Sequence, residues 1–175
     1  MKAIVIIAVC LATQLCHCQN TSNTAWSQLE TNNFKVRYPA SWKLDETGKA
    51  GSIFFIFAPP DSTGDPFFEN LNLVVQDLQE SGIDLDKFVE ISESQVKTMM
   101  ANSQIIKSAR LDSNPACHEI VFSGTSGIYK LKFRQFYWLI NKKSYVLTFT
   151  ATQNSYSDYL PTAEKIMDSF KLKIN

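Results

Sequence analysis

Cys117 and His118 are the adjacent pair on which thiol chemistry would rest, and they are the only thiol and imidazole left once an N-terminal leader is removed. A nucleophilic cysteine needs a base within hydrogen-bond reach of its sulfur. Neighbours on a strand point to opposite faces, so this pair can share a proton only if a bulge intervenes. The expectation is a small half-buried Cys117 and a His118 paired with a strand neighbour or with solvent, and no catalytic residue is assigned. Zinc usually takes three or four nitrogen or sulfur ligands, more than this pair supplies. Oxygen ligands are left: Asp61, Thr63, Asp65 and Glu69 lie in one turn with the loose spacing of a calcium loop, which makes Asp61, Asp65 and Glu69 weak calcium candidates. Pro66 stands where an EF-hand needs glycine, and position 72 is Asn where the bidentate acid belongs. A solvated acidic loop, with no metal and no cofactor, is the expected state.

A second group of residues could recognise rather than react. Lys130, Lys132 and Arg134 share one face of a strand, and that face continues as Phe136, Trp138 and Ile140, with Thr148 and Thr150 expected opposite them. A basic strip passing into aromatics could meet a lipid headgroup, a peptidoglycan fragment or a partner protein. Lys130, Lys132, Arg134 and Trp138 are therefore the candidate partner or ligand surface. The simpler alternative has a helix covering the aromatic end while the basic end stays solvated, and the exposure of Trp138 separates the two.

These groups must be placed by a chain of 175 residues whose first eighteen read as a secretory signal: Lys2, then an apolar run from Ala3 to Leu11, then small or polar residues before Gln19. The run is roughly half of what a bilayer-spanning helix needs, so no transmembrane segment is expected after cleavage. Cys16 and Cys18 are small enough to precede a cut at Gln19. Leu15, three before Cys18, opens a lipid-modified Cys18 as the alternative, although His17 is a poor fit to the small residue such a signal wants. Removing Lys2 leaves 16 basic against 17 acidic residues, which excludes the electrostatic footprint of a nucleic-acid binder. Cys117 is then the one remaining cysteine, so no internal disulfide can form, and a mature chain of about 157 residues can bury an ordinary core without one. The division expected is a signal at 1–18, a flexible polar tether at 19–32 containing the glycosylation-like Asn20-Thr21-Ser22, and one domain at 33–175.

Within that domain, Phe34, Val36 and Tyr38 alternate with Lys35 and Arg37 until Pro39 ends the pairing and Trp42 anchors a turn. Ser52–Phe57 is almost wholly apolar and reads as a strand buried on both faces, and Asn70–Asp77 alternates as another. A helix follows Asp84 as N-cap, with Leu85, Phe88, Val89, Ser92, Val96, Met99 and Met100 on one stripe. Strands at 104–111, 116–123, 129–140 and 145–152 then read as an antiparallel meander. The closing helix sets Tyr156, Tyr159, Leu160, Ala163, Ile166, Met167 and Phe170 on one stripe, and Pro161 is tolerable if the regular helix starts near Asp158. The fold class is α+β, a curved antiparallel β-sheet flanked by helices in an α/β/α sandwich.

The opening Phe34-x-Val36-x-Tyr38-Pro39-x-x-Trp42, the Asn114-Pro115-Ala116-x-x-Glu119 segment, the long hairpin from Tyr129 to Thr152 and the closing Tyr159-Leu160-Pro161 helix ending in Ser169-Phe170 resemble the PsbP-like family over residues 32 to 173. The resemblance implies the sandwich just described. Its motifs are structural rather than catalytic. In that family, plant members assist the oxygen-evolving complex of photosystem II, bacterial members are periplasmic proteins or lipoproteins, and a nuclear relative binds a small GTPase, so the fold alone transfers no function. The expectation is a secreted or periplasmic, non-enzymatic accessory or binding protein of the cell envelope, whose partner is an envelope protein or a small ligand. The alternative is a soluble ligand- or calcium-binding module of the periplasm with its pocket between the sheet and the 61–69 loop. An enzyme ranks below both, because no acid, base and nucleophile converge.

Overall fold

The computed structural model describes residues 25–60, 66–78 and 82–173. The signal, Cys18, the Asn20-Thr21-Ser22 acceptor and the calcium candidates Asp61 and Asp65, with Thr63, lie outside the described residues. In chain order the elements are β1 (Trp26–Glu30), β2 (Phe34–Pro39), β3 (Lys43–Asp45), a short 3-10 turn (Lys49–Gly51), β4 (Ser52–Phe57), β5 (Asn70–Asp77), α1 (Leu85–Met99), β6 (Ala101–Leu111), β7 (Cys117–Ser126), β8 (Tyr129–Ile140), β9 (Lys143–Thr152), α2 (Tyr156–Ser169) and β10 (Lys171–Leu172). Strands β3-β4-β5-β9-β8-β7-β6 form a seven-stranded antiparallel sheet, and β1-β2-β10 a separate three-stranded one. The α+β reading holds, with β6 to β9 as the meander.

Because side chains alternate along a strand, the large sheet has two apolar faces and builds two cores. On one face Ile120, Phe122, Leu131, Phe133, Tyr137 and Val146 pack against Phe88, Val89 and Val96 of α1. On the other, Phe136, Trp138, Leu147 and Phe149 pack under Ala163, Ile166 and Met167 of α2 and under Phe34 and Val36 of the small sheet. Phe170 links these layers, its ring 5.5 Å from Phe34 and 5.3 Å from Trp138. Among the described residues no helix is long and apolar enough to cross a membrane.

Local chemistry explains the helix ends. The Asp84 side chain accepts a hydrogen bond from the Lys87 N–H at 2.8 Å, capping α1 as expected. Met99, expected on the buried stripe, is 57% exposed, because the backbone turns extended at Met100 and sends that side chain inward instead. Helix α2 begins at Tyr156, earlier than the expected Asp158, so Pro161 lies beyond the first turn. It forfeits the i→i−4 bond to Ser157, and both positions are exposed, where water can serve the carbonyl.

The expected tether is corrected at its C-terminal end. Residues 26–30, placed in a flexible segment ending at 32, form β1 and pair with β2 from Trp26↔Pro39 to Glu30↔Lys35. Strand β1 is an edge strand covered on part of one face, so its sequence WSQLE lacks the apolar alternation that marks a half-buried strand. Trp26 and Leu29 pack on the α2-side core, and the Lys173 ammonium ties to Glu30 and to the Thr31 carbonyl, each at 2.8 Å. A chain beginning at Asn33 should therefore be less stable than one beginning at Gln19 by about 2 kcal/mol, the order expected for losing two half-buried apolar side chains. Chemical denaturation of both checks this, and equal stability would return residues 26–30 to the tether.

Candidate functional site

The basic strip of β8 is sewn to α2. Glu119 of β7 is 2% exposed, and its carboxylate sits 2.6 Å from Arg134 Nε and 2.5 Å from Lys107 Nζ. The Arg134 guanidinium also donates from Nη1 to Glu164 of α2. Burial opposes the charge on Arg134, but the Glu164 hydrogen bond and the charges of Glu119 and Glu164 overcome it and hold the guanidinium above its ordinary value. Lys132 places its ammonium 4.4 Å from the centroid of the Tyr156 ring. Burial pushes the Tyr156 phenol up to about 12.

The aromatic end of the strip is core. Trp138 is 8% exposed and packs on Phe136 and Phe170, so only a small part of its surface is open, and it does not continue the basic strip as an exposed aromatic face. Lys130 alone of the three strip cations is exposed at the hairpin end. Thr148 and Thr150, expected opposite the strip, lie on the other face: Arg134 pairs with Phe149 and Lys132 with Ala151, whereas Thr148 faces Gln135 and accepts its amide hydrogen bond at 3.0 Å. Paired residues of β8 and β9 have numbers that sum to an odd value, so even-numbered β8 residues face odd-numbered β9 residues and the threonines turn toward α1.

Cys117 and His118 diverge as strand geometry requires. Cys117 joins the α2-side core, while His118 Nε2 lies 2.8 Å from the Ser108 hydroxyl on β6. Burial pushes the Cys117 thiol up to about 12. Burial and the nearby Arg110 charge lower His118 below its ordinary 6.5. A neutral thiol and a neutral imidazole on opposite faces cannot form a nucleophilic ion pair. Glu69 is also buried; it accepts from the Ser155 hydroxyl and the Thr152 N–H and thus faces the turn between β9 and α2. Among the described residues no three His, Cys, Asp or Glu side chains group to hold a metal ion.

A groove of about 330 Å³ opens at the Trp138 end of β8. Its floor is Cys117, Phe136, Trp138 and Phe170, and one wall is the turn joining β6 to β7, where the Asn114-Pro115 peptide bond is cis. Pro66, at the described end of the 61–69 loop beside which a pocket is expected, meets the other end of the same strand, where Tyr129 donates to its carbonyl at 3.2 Å. Nine strand residues, about 30 Å, separate the two ends. The groove draws on three distant segments, 111–117, 136–138 and 167–172, and Asp168 and Lys171 at its rim carry no sequence signal of their own.

No family model and no curated protein matches the sequence, so the likeness is one of shape. Cyanobacterial PsbP from Synechocystis superposes with a TM-score of 0.65 at 12% identity, covering 91% of this chain and 99% of that one. The chain has the PsbP-like fold. LpqN of Mycobacterium tuberculosis, described as involved in cell envelope biogenesis, shares the fold with a TM-score of 0.60 at 15% identity over 85% of this chain and 86% of its own. The Ran-binding protein Mog1p of Saccharomyces cerevisiae gives 0.55 at 4% identity over 85% and 96%. Identities this low carry the PsbP-like architecture and no residue role.

Arg134→Met leaves the buried Glu119 carboxylate with Lys107 alone and should cost about 3 kcal/mol, while the Glu119→Met/Arg134→Met double variant should recover most of the loss. Denaturation midpoints measure both. Cys117 should resist a thiol reagent at pH 8 in the folded protein and react once the protein is unfolded in denaturant. Stability should also fall as pH climbs from the thiol's ordinary 9 toward 12, because the unfolded thiol loses its proton first.

Proposed function

We propose that this chain is an exported, non-enzymatic accessory or binding protein of the cell envelope. The observation that carries the reading is the groove at the Trp138 end of β8: it is concave and aromatic-floored, and the cysteine in its lining, Cys117, is a buried neutral thiol. The leader pattern of residues 1–18 supports export. The shared fold adds support, since LpqN is described as involved in cell envelope biogenesis and Mog1p as Ran-binding. The groove also favours a second reading, a soluble periplasmic module that binds a small ligand. The calcium arm of that reading rests on Asp61 and Asp65 together with Glu69, whose carboxylate is committed to Ser155 and Thr152.

Fractionation of cells making the tagged protein, followed by N-terminal sequencing and intact mass, tests the export half. The expected product begins at Gln19 and leaves the cytosol. A lipid mass on Cys18 would move the protein to the membrane as a lipoprotein, and a full-length chain confined to the cytosol would overturn the proposal.

A further inference from the structure

The groove carries three features that a simple cleft between core layers does not need. Trp138 lines it, and its indole N–H has no acceptor among the described residues and is not one of their buried polar atoms, so it stays open to solvent. A tryptophan N–H open to solvent donates readily to a polar atom within reach, and the space beside this ring is the groove itself. Asp168 and Lys171 stand together on the rim, and neither forms an ion pair with the other or with any other described residue. Asp168 lies in the last turn of α2, which holds no basic residue. A carboxylate there sits against the negative end of the helix dipole, so this corner of the groove favours a cation.

Resting on the reading of the chain as a binding protein, we propose that the groove binds a small zwitterion with an apolar side chain, the class of a free aromatic or aliphatic α-amino acid. The ligand's ammonium meets Asp168 and the C-terminal end of α2. Its carboxylate meets Lys171 and accepts the Trp138 N–H, while its side chain lies against Phe136, Trp138 and Phe170. A groove of about 330 Å³ suits a molecule of that size, at the low end for small-molecule sites. The paired rim charges argue against an acyl chain with a single anionic head, which would leave the Asp168 carboxylate facing apolar matter.

The test titrates the ¹⁵N-labelled protein with L-phenylalanine, 3-phenylpropionate, 2-phenylethylamine and 2-phenylethanol, following the Trp138 indole resonance, assigned with Trp138→Phe, and heats of binding. L-phenylalanine should shift that resonance, and each analogue lacking one or both charges should bind about tenfold more weakly or worse, the equivalent of roughly 1.4 kcal/mol. Asp168→Asn and Lys171→Met, both at exposed positions, should each weaken L-phenylalanine by a similar factor while leaving the melting temperature in place. Equal binding of all four probes, or variants indifferent to L-phenylalanine, would overturn the zwitterion assignment and leave the binding reading standing. If none of the four moves the Trp138 resonance, the groove is no ligand site and the binding reading loses its support as well.

Discussion

Strand β8 has to satisfy two cores at once, and most of the architecture follows from that demand. Leu131, Phe133 and Tyr137 point to α1, while Phe136 and Trp138 point to α2 and the small sheet. A central strand apolar on both faces cannot be left half covered, because each large side chain withheld from water contributes on the order of 2 kcal/mol. The chain therefore supplies one helix per face, and β1, β2 and β10 extend the cover where α2 is too short to finish it.

Burying both faces creates a problem where polar residues interrupt the pattern, and on β7 and β8 Glu119 and Gln135 are answered locally. On the α2 face the buried Glu119 is met by Arg134 and Lys107, and Arg134 reaches on to Glu164, so the charge that would otherwise destabilise the sheet fastens it to the helix. On the α1 face Gln135 is met by Thr148 and Tyr137. At the end of β8 the Trp138 indole N–H and the exposed Asp168 and Lys171 side chains border a groove, with no hydrogen-bond or ion-pair partner among the described residues.

Much of this was legible in the sequence because periodicity reports directly on burial. The stripes of α1 and α2, the meander and the Phe34-x-Val36-x-Tyr38 strand all appear where alternation or three-four spacing placed them. Strand β1 was hidden because an edge strand needs little apolar alternation, and the 57% exposure of Met99 was hidden because the helix end decides which methionine turns inward. The β8–β9 register could not be read from either strand alone, which is why Thr148 and Thr150 were expected on the wrong face. The strip of Lys130, Lys132 and Arg134 looked like a surface because Glu119 and Glu164 stand 11 or more residues away in sequence and meet Arg134 through folding alone. The groove was invisible for the same reason, being assembled from three separated segments.

A crystal structure of the protein isolated from its natural source, at a resolution that identifies the acceptor of the Trp138 N–H, tests the central claim most directly. The account predicts an open groove in which that N–H donates to an oxygen of a bound small molecule wedged against Phe136 and Phe170. A Trp138 N–H donating to a main-chain carbonyl of the protein, with Phe136 and Phe170 closed over it, would contradict the account.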